Sequence, residues 1–140
     1  MGSGCAGRVG DETVAELCRL MRTVFASRGL DLFENVSCGD GSAAFALSTD
    51  DCCFLVDRVR DSLLRDHHVM TRMVKQLAEE EPGARVFGIL LVGSVQGIPE
   101  EFLRFGKRHN ITLLEPDKTA MADFIGGQLE KRSHKGKETP

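Results

Sequence analysis

The first amphipathic segment of the chain covers residues 11–27. Its apolar side chains recur at helical spacing, while charged residues occupy the rest of the helical wheel. These apolar residues are Val14, Leu17, Cys18, Met21, Val24 and Phe25. Asp11 belongs to a residue type that caps helix starts, and Gly29 can adopt the positive φ that often ends a helix. The pattern therefore predicts a helix over residues 11–27.

Three short β-strands are predicted next. Residues 30–36 and 43–47 flank residues 38–42, whose Gly-Asp-Gly centre is typical of a hairpin turn. In residues 52–59 the odd-numbered side chains alternate with the even-numbered ones, as in a strand that shows a different face to each side. One of those faces carries Asp57 among apolar side chains. This isolated acid is the first candidate for chemistry.

A second helix and a buried strand follow. The helix ends before Pro82, because proline disfavours helical backbone in the residue that precedes it. Its inward side chains are predicted to be Val69, Met70, Met73, Val74 and Leu77. Residues 86–92 are apolar without alternation, a pattern typical of a strand that is covered on both faces.

The rest of the chain predicts helix, strand and helix. Pro99 suits the first turn of a third helix, which is followed by a short strand at residues 111–114. That helix carries the apolar residues Phe102, Leu103 and Phe105. A fourth helix is predicted from about Ala120, with Thr119 as its cap.

The predicted order is αβββαβαβα. Strands that alternate with helices indicate parallel pairing in the second half, whereas the first three strands indicate an antiparallel meander. We therefore expect a three-layer α/β fold with a central mixed sheet. Residues 11–129 are expected to form a single domain, between a glycine-rich disordered N-terminus at residues 1–10 and a basic disordered tail at residues 130–140.

Composition and charge limit the partners and the cellular compartment that we expect. Eighteen basic and 21 acidic residues give a formal charge of −3, so no charge field over the whole domain attracts a polyanion. The five cysteines are odd in number, and adjacent Cys52 and Cys53 would point to opposite faces of a strand, which indicates reduced thiols. We find no secretory signal and no apolar run of membrane-spanning length. The expectation is an intracellular protein, cytoplasmic or nuclear, without a membrane partner.

Four segments carry a family resemblance. They are ELCRLMRTVFASRGLDLFENV, GDGSAAFAL, CCFLVDRVR and ARVFGILLVGS continuing to IPEEFLRFGKRHNITLLEPDK. In this order they resemble the restriction-endonuclease-like PD-(D/E)xK fold, and most closely its Mrr-like branch, over roughly residues 11–125. The resemblance implies a nuclease-like fold and, in active members, a Mg²⁺ or Mn²⁺ site built from a carboxylate near the second strand and an acid-x-lysine motif on the third.

The motif is incomplete in this sequence. Asp40 lies in the turn before the expected strand position, and if Asp57 takes the place of the motif's acid, the lysine position holds Val59. The resemblance implies that an active site would need Asp57 with Lys75 from the next helix as catalytic residues. Its metal ligands would be Asp40, Asp57 and Glu16. A structural alternative pairs Asp57 with Arg58 or Arg60 as a strand-end ion pair.

Three hypotheses follow for function. The preferred one is a non-catalytic nuclease-like domain without a cofactor, which acts as a binding or assembly subunit and is expected to have a protein partner, as a homodimer or heterodimer. Arg104, Lys107 and Arg108 on the third helix are its predicted contacts to that partner or to nucleic acid. The second hypothesis is a metal-dependent nuclease with an atypical site. The third is a receiver-like or small-ligand-binding module, with Asp50 and Asp51 as its acidic pair.

Overall fold

The computed structural model describes residues 9–39 and 41–138, with side chains described as far as Lys131. Over these residues the chain forms four α-helices, five β-strands and one 3₁₀ turn at Ala26–Arg28. The elements are α1 (Asp11–Val24), β1 (Asp31–Cys38), β2 (Gly41–Ser48), β3 (Cys52–Arg58), α2 (Leu63–Glu80), β4 (Arg85–Leu91), α3 (Glu100–Arg108), β5 (Ile111–Leu114) and α4 (Lys118–Glu138). The predicted order of elements is confirmed.

The five strands form one mixed sheet in the order β1-β2-β3-β4-β5. The pairs β1–β2 and β2–β3 are antiparallel, whereas β3–β4 and β4–β5 are parallel. This is the arrangement that the three-layer α/β prediction requires. The antiparallel half also excludes the all-parallel sheet of a receiver-like domain.

The two faces of β3 enter separate halves of the core. Even-numbered Phe54 and Val56 belong to an apolar cluster that includes residues of α1 and α4, such as Met21 and Met121. Odd-numbered Leu55 packs in a second cluster, with Met70, Met73 and Val74 of α2. The alternation seen in the sequence therefore places helices on both sides of the sheet. Each fully buried side chain of this size contributes about 1.5–3 kcal/mol to folding.

Several element boundaries differ from the prediction. Gly10 is the N-cap residue of α1 and Asp11 is its first helical residue, so Asp11 makes no side-chain cap. The helix ends at Val24, and the 3₁₀ turn that follows leads into Gly29, whose φ of 75° confirms the predicted left-handed position. At α4 the capping side chain is Asp117, which accepts a hydrogen bond from the N–H of Ala120 at 2.8 Å, in place of Thr119.

The ends of the described chain also add structure. Val9 is buried, and its carbonyl accepts a hydrogen bond from Arg58 Nη1 at 2.8 Å, although the sequence places it in a disordered N-terminus. Residues 1–8 lie outside the described residues. Helix α4 continues to Glu138, through most of the stretch whose composition predicts disorder. None of the helices over the described residues is long and apolar enough to cross a bilayer.

Candidate functional site

Asp57 lies near the C-terminal end of β3, where the sheet opens. The β2–β3 pairing ends at Phe45 and Val56, one residue before Asp57, while on the other side Asp57 stays in register with Leu90 of β4. Odd-numbered residues of β3 face α2, so Asp57 points toward the start of that helix. The strand pattern thus places an acid at the edge of the core, beside a gap between two strands.

The carboxylate of Asp57 is nearly buried and forms an ion pair. Its side chain is 13% exposed, and Oδ1 accepts a hydrogen bond from Arg60 Nη2 at 3.0 Å. Burial raises the pKa of Asp57 above its ordinary value, and a backbone hydrogen bond and the Arg60 guanidinium oppose that shift. The neighbouring Arg58 instead pairs with Asp11 of α1. Of the two arginines considered from the sequence, Arg60 is the partner of Asp57.

A cavity of about 200 Å³ lies beside Asp57, and its other acids also have partners. Asp66 Oδ2 accepts hydrogen bonds from the backbone N–H groups of Arg60 and Asp61, at 2.7 and 3.0 Å. Asp61 forms an ion pair with Arg65 at 3.7 Å. The carboxylates around this cavity therefore hold the β3–α2 connection together, a role that no sequence pattern indicated.

Val59 occupies the position where the resemblance would place a lysine. It is 3% exposed and packs with Leu90, Val92 and Leu113 in an apolar cluster. Its backbone N–H donates to the carbonyl of Leu91 at 3.0 Å. The side chain is therefore fixed in the core, and the cation nearest to Asp57 is a guanidinium that comes from the following loop.

The other residues predicted for an active site are dispersed. Glu16 pairs with Arg19 on the exposed side of α1. Lys75 lines a neighbouring cavity of about 380 Å³, together with Gln76 and Glu79, and not the cavity beside Asp57. Asp40 lies outside the described residues. Within residues 9–39 and 41–131, no three His, Cys, Asp or Glu side chains are grouped so as to hold a metal ion.

A third cavity, of about 340 Å³, lies on the α1 side of the sheet edge near Asp57. Arg58 and Arg60 both line it, next to Asp11, Glu34 and Asn35. Glu34 in turn accepts a hydrogen bond from Arg22 at 2.9 Å. Asn35 has a φ of 54°, a left-handed conformation within β1. Like the first cavity, this one combines acids with paired bases, and no motif in the sequence pointed to it.

His67 of α2 is a buried polar residue that sequence reasoning missed. It is 2% exposed, its ring lies 4.6 Å from that of Phe102, and no described group hydrogen-bonds to its Nε2. A Cβ on Gly106 of α3 would come within 2.9 Å of that nitrogen. Burial lowers the pKa of His67, and the nearby His109 and His68 lower it further. The ring therefore stays neutral and fills the seam between α2 and α3.

The predicted contact residues of α3 lie at the spacing of one helix face. Arg104, Lys107 and Arg108 are all exposed, and Phe105 beside them is 45% exposed. Only Lys107 of the three lines a described cavity, which lies toward the start of β4. The helix thus offers one cation to a groove and two to open solvent.

The cysteines that the structure describes are not in disulfide bonds. They are Cys18, Cys38, Cys52 and Cys53. Burial raises the pKa of Cys53 to about 11 and also raises the pKa values of Cys18 and Cys38. Because the thiolate is the reactive form, the raised pKa values make Cys18, Cys38 and Cys53 unreactive at neutral pH.

Comparisons with known proteins add one distant similarity in structure. No protein-family model matches the sequence, and no curated protein matches it. Among solved structures, the chain is similar to an XisH family protein from Nostoc punctiforme PCC 73102, with 11% sequence identity and a TM-score of 0.43. The match covers 71% of this chain and 88% of that one.

Proposed function

We propose that this protein is a non-catalytic nuclease-like domain that acts as a binding or assembly subunit. The observation that carries the proposal is the ion pair between Asp57 and Arg60, next to a Val59 that is embedded in the core. The motif of an active relative would need a carboxylate free to bind a metal and an ammonium beside it. Here a guanidinium already neutralises the carboxylate, and an apolar side chain takes the place of the ammonium.

Electrostatics supports this proposal. A hard divalent cation prefers a set of oxygen ligands that carry net negative charge. At Asp57 a metal would have to displace Arg60 or sit next to it, and the nearby Asp66 already accepts two backbone hydrogen bonds. Either route gives up existing interactions, so metal-assisted hydrolysis is not the chemistry that this arrangement favours.

Exposed apolar side chains support a binding role. Leu64 on α2 is 72% exposed and Phe105 on α3 is 45% exposed. Leu64 lies one helical turn before His67, whose ring is 6.0 Å from that of Phe105. Arg104, an exposed cation of α3, directly precedes Phe105 in the sequence. A protein partner with an apolar contact and an acidic rim would complement it, and a second copy of the chain is one such candidate.

A cleavage assay tests the non-catalytic part of the proposal. Plasmid and branched DNA would be incubated with wild-type protein and with Asp57→Ala, in the presence of Mg²⁺ or Mn²⁺. We expect neither protein to cleave above a metal-free control. If the wild type cleaves and the variant does not, Asp57 belongs to a working site and the protein is a metal-dependent nuclease.

Sedimentation tests the assembly part. Wild-type protein would be compared with Phe105→Asp and with Phe33→Asp, a matched change at a side chain that is 52% exposed on β1. We expect Phe105→Asp alone to weaken self-association, or association with an identified partner. Equal behaviour of all three proteins would remove the α2–α3 surface from the proposal.

A further inference from the structure

A groove of about 820 Å³ opens at the end of the sheet away from Asp57. It is lined by the first residues of β4, by β5, by the end of α3 and by one face of α4. Arg85 is in register with Cys52, and Leu90 with Asp57, so the two sites lie five residues apart along β4. At the rise of a strand this is about 16 Å. The groove is therefore separate from the Asp57 cavity.

Positive charge dominates the groove. Arg85, Lys107 and Lys131 line it, and none of its described lining residues is acidic. Arg85 is held in place, because its Nη2 donates to Gln128 Oε1 at 3.0 Å and its guanidinium lies 5.1 Å from the centre of the Phe87 ring. A fixed guanidinium with two lysines near it is a typical arrangement for binding phosphate. It contrasts with the cavity beside Asp57, where Arg60 and Arg65 pair with acids.

Two aromatic rings form part of the lining. Phe87 and Phe124 meet edge to face with their centres 6.1 Å apart, and Phe54 stacks on Phe87 at 5.3 Å from beneath. Phe54 is fully buried, so the pair in the groove rests on the core and keeps its orientation. Phe87 is only 8% exposed, so the half-buried Phe124 is the ring against which a flat aromatic ligand can pack, in a way that tolerates many ring structures.

The combination suggests the chemistry of the ligand. The volume lies within the range of about 300–1,000 Å³ that is common for small-ligand sites. The three cations would bind a phosphate group, and Phe124 would contact a ring attached to it. We propose that this groove binds nucleotide units, supplied by a single-stranded nucleic acid or by a free nucleotide. The inference does not depend on whether Asp57 is catalytic.

Charge reversal in the groove is the main test. The wild type and the variant Lys107→Glu/Lys131→Glu would be titrated with a fluorescent oligo(dT) of about 12 nucleotides, a length within the usual range of single-strand sites. The matched control is Arg28→Glu/Lys118→Glu, which reverses two exposed cations outside the groove. We expect the groove variant to bind about tenfold more weakly or worse, and the control to change by less than about threefold.

Salt and competition complete the test. Three phosphate contacts predict that log K falls against log salt with a slope of about −2 for a single strand, and the groove variant should lose most of that slope. Competition by dTMP or ATP at the same site would identify a free nucleotide as the source, whereas competition by unlabelled oligonucleotide alone would identify a strand. Thermal melting of each variant checks that it is folded.

Two results would overturn the inference. One is that wild-type protein binds neither the oligonucleotide nor the free nucleotides. The other is that the control variant weakens binding as much as the groove variant does, which would mean that the attraction is spread over the surface. Phe124→Leu sharpens the test, since it keeps an apolar side chain of similar volume but removes a ring. It should weaken binding about fivefold, while Phe105→Leu outside the groove should not.

Discussion

The two ends of β4 differ in how the charged side chains around them are paired. Near Leu90, the acids and bases around Asp57 are paired with one another or with backbone N–H groups, so the site is electrically compensated. Near Arg85, three cations line a groove with no acid among its described lining residues. Paired charges hold a fold together, whereas cations without acidic neighbours are available to a ligand. The end of β4 beside Asp57 is therefore less suited to bind an anion than the end beside Arg85.

The largest expected effect comes from placing the missing lysine at the compensated end. Val59→Lys buries an ammonium in an apolar cluster and should lower the free energy of unfolding by about 3–5 kcal/mol. Val95→Lys is the control, because Val95 is 36% exposed and should tolerate the change within about 0.5 kcal/mol. Urea denaturation measures both. A Val59→Lys protein of unchanged stability would show that a lysine can reach out of the core toward Asp57.

A smaller effect separates two acids at that end. Asp66→Ala leaves the N–H groups of Arg60 and Asp61 without their acceptor and should cost about 2 kcal/mol. Asp57→Asn should cost less than about 0.5 kcal/mol. Burial already disfavours its charge, and Arg60 is exposed enough to be solvated without a partner. If Asp57→Asn proved the more harmful change in chemical denaturation, the ion pair would be the main structural link.

The smallest effect concerns pH at the residue next to Asp66. His67 has a folded-state pKa below its ordinary 6.5, so below about pH 6.5 the unfolded chain binds more protons than the folded one. Stability should therefore fall as the pH decreases from 6.5 toward the folded-state pKa. His67→Leu should remove this loss, while His68→Leu at an exposed site should keep it. Urea midpoints at pH 8, 6 and 5 decide between these outcomes.

Most of the fold could be predicted from the sequence because it depends on local patterns. The alternation of residues along β3 correctly predicted that its two faces enter different parts of the core. The unbroken apolar run correctly predicted that β4 is covered on both faces. Boundaries were less accurate, since Gly10 is an N-cap without a capping side chain, and Asp117 caps α4 with its carboxylate two residues before the predicted Thr119. The tail illustrates the same difficulty, because polar composition alone did not indicate that α4 extends to Glu138.

The sites were harder to predict because they combine distant parts of the chain. The groove joins Arg85, Lys107 and Lys131 from three elements, and no spacing in the sequence connects them. His67 and His68 are identical in type and adjacent, yet only the first is buried, because only its face of α2 meets α3. Asp57 pairs with Arg60 and not with Arg58, since Arg58 forms an ion pair with Asp11, a residue distant in the sequence.

The left-handed Asn35 has a consequence for the behaviour of the protein in concentrated solution. Strand β1 is an edge of the sheet, and edges with a regular row of free backbone groups invite a second chain to add a strand. At Asn35 the regular row is interrupted, and the β1–β2 register skips this residue while continuing on either side of it. With charged Asp31 and Glu34 on the same strand, the interruption makes uncontrolled edge-to-edge pairing of sheets unfavourable.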